Sequence, residues 1–214
     1  LQLLQPLTGR DADAAVEVLR GDISDAQFCE RAVGHDTDSV FHLAAIMSGQ
    51  GEADFDAAIS VNLHGTLNLL EAVRGSGSSG AKFVFASTGA VFGSDAAAGN
   101  KRPSTTITDA TKQLPESSYG MTKSCCELLV NDYTRRGFVV GRSARLPTVV
   151  VRPGSPNAAT TSVFSSVVRE PLAGVDCVSP LPLDLPHAVV SHRTAVDSIL
   201  RLHDIDEGEF LRLA

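Results

Sequence analysis

At 214 residues, 43% hydrophobic and 20% charged, the chain is long enough for one sizeable globular domain, alone or with a small lobe. A formal net charge of −7 argues against a nucleic-acid or anionic-membrane surface. No apolar run reaches the length of a membrane span, and the N-terminus lacks the zones of a signal peptide, so a cytoplasmic protein is expected. In chain order, Val16-Glu-Val-Leu19 alternates and reads as a strand, followed by Gly21-Asp-Ile-Ser-Asp25. Ser24 is the expected cap of a helix from about Asp25 to Val33. Ser39-Val-Phe-His-Leu43 is a short apolar strand. Asp54 to Val73 reads as a long helix with Ile59, Leu63, Leu67 and Leu70 on one face. Gly75 to Gly80 ends it, and Lys82 to Ala86 is a buried strand. Gly93 to Pro115 is polar and loop-like, longer than an ordinary connection. A helix carries Tyr119 and Lys123 to about Arg136, and Ser143 to Val151 is the next strand. Ser191 to His203 returns as a helix.

Strands alternating with helices predict an α/β fold, a Rossmann-like doubly wound parallel sheet. Prolines crowd the segment after Pro153, which reads as a small C-terminal substrate lobe. The expected division is a dinucleotide-binding domain over 1–151, a lobe over 152–190, and a returning helix with a C-terminal fragment over 191–214. A dinucleotide-binding unit should open with a strand, a Gly-rich turn and a helix. Nothing before Gly21 fits; Leu1-Gln-Leu-Leu4 suits a second strand, with no ribose-reading carboxylate after it. A longer polypeptide carrying that turn before Leu1, and more residues after Ala214, is therefore expected. Cys29, Cys125, Cys126 and Cys177 form no Cys-x-x-Cys, so no metal site is expected.

Tyr119-Gly-Met-Thr-Lys123 is the stretch with the clearest chemistry. On a helix, residues four apart share a face. A phenol is a poor base near neutrality, and a lysine cation beside it favours the phenolate. A hydroxyl at the end of the preceding strand, Ser87 or Thr88, orients a substrate alcohol. Together these groups remove a carbinol proton while a cofactor takes the hydride. Alone, the pair is better read as a lysine shielding an exposed tyrosine; the order of strand, Ser-Thr, loop and helix reverses that in favour of the chemical reading.

Gly21-Asp-Ile, His42-Leu-Ala-Ala45, Asn62-Leu-His-Gly-Thr66, Ser87-Thr88, Tyr119-x-x-x-Lys123 and Arg145-Leu-Pro-Thr148 occur in an order that resembles the extended short-chain dehydrogenase/reductase family, also called the NAD-dependent epimerase/dehydratase family. The resemblance covers Gly21 to about His203. It implies that Asp22 and Ile23 border the adenine, and that Leu43, Ala44 and Ala45 line pyrophosphate and ribose. It implies that Asn62 orders the active-site backbone, Ser87 contacts nicotinamide, Lys123 holds its ribose, and Pro147 and Thr148 approach it. Thr88, Tyr119 and Lys123 are the implied catalytic residues. On the residues alone, Asp22 is as well read as a turn carboxylate and His42 as a satisfied core histidine. Arg193 also suits a surface or helix-cap role, and His187 a packing one.

Ser118-Tyr-Gly-Met-Thr-Lys-Ser-Cys-Cys-Glu-Leu-Leu129, Arg152-Pro-Gly-Ser-Pro-Asn157 and Ser191-His-Arg193 resemble the branch that oxidises a short, D-erythronate-like sugar acid at C2. Thr88 stands where a second serine is more usual, and Phe92 where many epimerases have tyrosine. The expected substrate contacts are Ser48, Thr88, Tyr119, Asn157 and Arg193, with the arginine gripping the carboxylate. NAD is the expected cofactor, and NADP stays open because no ribose-reading residue is visible. A homodimer through the helices of 54–73 and 119–136 is implied. A sugar-nucleotide epimerase or dehydratase, or a cofactor-sensing regulator without turnover, are the alternatives.

Overall fold

The computed structural model describes residues 17–78, 80–93, 107–108, 110–152, 160–182 and 185–213. Helix α1 (Ala26–Ala32) begins one residue later than the serine cap predicts. The Asp22 carboxylate accepts from Ser24 N at 2.9 Å and Asp25 N closes on Asp22 O at 3.1 Å, so Ser24 lies inside a turn. Asp25 is the cap instead, its side chain accepting from Gln27 N at 2.9 Å. Residues 17–20 are exposed and outside any strand, which corrects the strand expected over Val16–Leu19. Alternation makes a strand only where a neighbour supplies ladder bonds, and among the described residues the edge strand Ser39–His42 pairs only with Lys82–Thr88. Leu1–Leu4 and Val16 lie outside the described residues, as does most of the Gly93–Pro115 loop.

β1 (Ser39–His42), β2 (Lys82–Thr88) and β3 (Val140–Leu146) form a parallel sheet in that order. Register runs from Ser39↔Lys82 to His42↔Phe85, and from Lys82↔Val140 to Thr88↔Leu146. Parallel neighbours need long crossovers, and helices supply them. The first crossover holds α2 (Ser48–Ala53), α3 (Phe55–Ala58), a π-helical stretch (Ile59–His64) and α4 (Gly65–Ser76). The second holds α5 (Ser118–Arg135), capped by Ser117 Oγ on Gly120 N at 3.0 Å. The strand expected over Ser143–Val151 is two strands. Pro147 has no N–H for the ladder, and beyond it β4 (Thr148–Val150) pairs instead with β5 (Val189–Ser191). Helix α6 (Val163–Leu172) lies between these two strands in sequence, and α7 (His192–Asp204) and α8 (Glu207–Leu213) follow.

Side chains alternate across a strand, and both faces of this sheet are used. Phe83 and Phe85 pack in one core with Cys29, Val33, Leu70, Val73, Cys126 and Val130 from α1, α4 and α5. Lys82 Nζ donates to His203 O at 2.8 Å, and Arg142 Nη1 donates to Leu202 O and to His203 O, the latter at 3.0 Å. Two basic strand residues thus hold the C-terminal carbonyls of α7. No helix among the described residues is long and apolar enough to cross a membrane.

His42 is buried, bonded through Nε2 to Thr66 Oγ1 at 2.8 Å, with its ring against Phe83 and Phe85. Burial, with help from the Lys123 charge, pulls its pKa from 6.5 down to about 4. Between those values the unfolded chain binds the extra proton, so stability falls as pH falls through the window. The loss is on the order of 3 kcal/mol. Urea unfolding from pH 7 to pH 4 is expected to show a steeper decline for the native protein than for His42→Gln. Parallel declines would refute it.

Candidate active site

Parallel α/β sheets bind ligands beyond the carboxyl ends of their strands. Leu43–Ala45 follow β1 there, Ser87 and Thr88 end β2, and Pro147 and Thr148 follow β3. Helix α5 delivers Tyr119 and Lys123 to the same edge. Gly120 permits this approach, because a Cβ at that position would stand 2.5 Å from Ala90 O in the 3-10 turn after Thr88. Helix α2 also docks on the start of α5, where Glu52 Oε1 accepts from Ser118 N at 2.7 Å.

The Thr88 side chain acts on the Tyr119 phenol, holding its pKa down against burial. Thr88 Oγ1 also accepts from Ala90 N at 3.2 Å, which fixes its direction. Lys123 is 3% exposed, donates from Nζ to Ala86 O at 2.8 Å, and lies over the Phe85 ring at 4.5 Å. Its Nζ stands 5.9 Å from the centre of the Tyr119 ring. Burial pulls the Lys123 pKa down to about 8. Burial likewise raises the Tyr119 phenol above its ordinary value, opposed by the Thr88 side chain. Here the structure differs from the expectation that Lys123 lowers this pKa. The ammonium serves Ala86 O and the Phe85 face, and desolvation outweighs what remains.

The other expected residues divide into three groups. Asn62 is buried in the π-helical stretch; Oδ1 accepts from Ile46 N at 2.7 Å, and Nδ2 donates to Ile46 O at 3.1 Å and Thr122 Oγ1 at 3.2 Å. It therefore ties α5 to the backbone just beyond Leu43–Ala45, with Ser48 two residues further at the start of α2. Asp22 is an exposed turn carboxylate, its pKa lowered by hydrogen bonds from Ser24. Ile23 packs against Gly65, and Asn68 Nδ2 donates to Ile23 O at 3.0 Å. On the lobe side, Thr148 Oγ1 is bonded to His187 Nε2 at 2.7 Å, and that imidazole stacks on Phe164 with ring centres 4.0 Å apart. His187 thus has the packing role. Arg193 is exposed in the first turn of α7. Asn157 lies outside the described residues.

Glu127 was missed. It is buried, and it accepts from the Ser87 hydroxyl, from Gln113 Nε2 at 2.6 Å and from Arg145 Nη2 at 2.7 Å. The signal was present in the spacing, since Tyr119, Lys123 and Glu127 recur every four residues.

A parallel sheet with helices on both faces, and with a hydroxyl, a phenol and an ammonium at its carboxyl edge, defines a Rossmann-like protein. A family model described as the NAD dependent epimerase/dehydratase family matches residues 5–183, and the chain belongs to that family. It is 46% identical over 188 residues to a D-erythronate dehydrogenase of Cupriavidus necator, covering 88% of this chain and 56% of the relative. It is 41% identical over 171 residues to a D-erythronate dehydrogenase of Haemophilus influenzae, covering 80% and 52%. The crystal structure of a nucleoside-diphosphate-sugar epimerase from Agrobacterium tumefaciens superposes with a TM-score of 0.82 at 40% identity, covering 92% of this chain and 56% of that one. The chain thus spans about half the length of the curated relatives it matches.

A buried ammonium with one neutral acceptor costs stability. Lys123→Met is expected to raise stability by about 1–3 kcal/mol. Chemical denaturation checks this, and a destabilised variant would show that the bond to Ala86 O outweighs desolvation.

Proposed function

We propose that the protein carrying this chain is an NAD-dependent dehydrogenase that oxidises the C2 hydroxyl of a short sugar acid resembling D-erythronate. The observation that carries this reading is the meeting, at the end of β2, of the Thr88 hydroxyl, the half-buried Tyr119 and the buried Lys123 ammonium, which stands 5.9 Å from the Tyr119 ring centre. The names of the two dehydrogenase relatives support the substrate class. A nicotinamide dinucleotide suits the described edge, where the Lys123 ammonium can meet ribose hydroxyls and exposed Leu43 and Ala44 offer an apolar shelf after β1. Bound there, it supplies the hydride acceptor. NAD rather than NADP belongs to the same proposal.

In this mechanism Thr88 orients the substrate hydroxyl and Tyr119 takes its proton. Lys123 holds the ribose. Ser87, Asn62, Pro147 and Thr148 shape the nicotinamide side, and Asp22 and Ile23 the adenine side. Ser48, Asn157 and Arg193 contact the acid, within a lobe over 152–190 beside a dinucleotide-binding portion over 1–151. The reading includes a cytoplasmic homodimer, with Phe55 of α3 and Leu128 of α5 as exposed apolar positions for the interface.

With both cofactors and a panel of sugar acids, aldoses and UDP-sugars, turnover is expected with a four-carbon acid. Tyr119→Phe is expected to keep cofactor binding and to lose on the order of 10²–10⁴ in rate. Activity confined to UDP-sugars would move the protein to the epimerases; unimpaired Tyr119→Phe would overturn the mechanism. Because burial raises the phenol pKa, oxidation should quicken as pH rises above neutrality.

A charged guanidinium on a carboxylate is worth more than a neutral hydrogen bond. Arg193→Met is expected to raise KM for the acid by about 10–10²-fold, with cofactor affinity little changed. An unchanged KM would remove Arg193 from the substrate site.

A further inference from the structure

Tyr119, Lys123 and Glu127 form one stripe along α5, and each meets a different residue at the end of β2. Lys123 Nζ donates to Ala86 O at 2.8 Å and the Ser87 hydroxyl donates to Glu127 Oε1, while Thr88, next in the chain, accepts from Ala90 N at 3.2 Å and acts on the Tyr119 phenol. Glu127 also gathers two segments that flank this strand end. Arg145, one residue from the end of β3, donates from Nε to both carboxylate oxygens at 3.1 Å and from Nη2 at 2.7 Å. Its guanidinium rests over the Phe92 ring at 5.0 Å, in the turn that follows Thr88. Gln113 Nε2 donates at 2.6 Å from the loop leading into α5. Among the described residues the carboxylate meets donors alone: a hydroxyl, an amide NH₂ and a guanidinium.

We propose that Glu127 is a positioning residue for the reaction: by holding Ser87 and Arg145 it fixes the neighbouring Thr88 hydroxyl against Tyr119. This rests on the roles given above to Thr88 and Tyr119. An ionised carboxylate accepts at both oxygens, whereas a carboxamide has one acceptor and one donor. Glu127→Gln therefore keeps the volume but sets an NH₂ against Gln113 or Arg145. The hydroxyl bond to Ser87 then competes with the guanidinium for a single oxygen. Displacing a reacting group by about 1 Å costs on the order of 10²-fold in rate.

The test uses the full-length protein and the acid that gives turnover. Glu127→Gln is expected to lower kcat by about 10–10²-fold and to leave both KM values within about threefold. In a Thr88→Val background the same substitution should change kcat by less than about twofold, because the effect runs through Thr88. An equal loss in both backgrounds would mean a general structural role and would overturn the proposal. Ser87→Ala removes one hydroxyl while sparing the ion pair. It should show the same dependence on Thr88, and a loss independent of Thr88 would count against the proposal. The ¹³Cζ resonance of Tyr119, assigned by its disappearance in Tyr119→Phe, gives a readout that needs no substrate. Glu127→Gln and Thr88→Val should each move it, and the double variant no further. An unmoved resonance in Glu127→Gln overturns the positioning role. A moved resonance in a protein that turns over no sugar acid upholds it and sinks the sugar-acid reading instead.

Discussion

The rest of the site depends on how one face of α5 meets the end of β2. A parallel strand ends with backbone groups exposed and side chains free to turn, so it is a poor place to fix a reacting group. Here Ala86 loses that freedom to Lys123, Ser87 to Glu127 and Thr88 to the amide of Ala90. The spacing of four along the helix makes this possible, and Gly120 allows the helix to come close enough. The pleat of the sheet and the pitch of the helix are thereby brought into one register at the site.

That register has a cost in solvation. Lys123 and His42 are both buried, both are pulled toward their neutral forms by burial, and the Lys123 charge further disfavours the proton on His42. The imidazole answers by staying neutral on Thr66, with aromatic rings around it. Among the described residues the ammonium has one carbonyl and the faces of Phe85 and Tyr119. Such an arrangement suits an edge that must present a cation to a ligand more than it suits stability.

Periodicity made the core legible. Phe83 and Phe85, Leu70 and Val73, and Cys126 and Val130 fall on the faces that alternation and helical spacing assign to them. The tyrosine and lysine were legible because their interval is local. Features governed by competition between neighbours were not. Ser24 and Asp25 are both good caps, and Asp22 decided between them by drawing Ser24 into a turn. The split at Pro147 follows from a missing N–H, yet the partner of β4 lies some forty residues on and no local pattern names it. The π-helical stretch around Asn62 likewise depends on Ile46 and Thr122, which sequence distance hides. Glu127 had the helical spacing, but its three partners come from β2, β3 and a loop.

The clamp that Lys82 and Arg142 place on the last carbonyls of α7 separates two duties within a single helix. Thirteen residues span about 20 Å, so the moored turn is far from the opening turn that carries Arg193. Under the role proposed for Arg193, substitutions in the opening turn alter ligand recognition without loosening the sheet. Selectivity would then be free to drift while the strand end beside it stays unaltered.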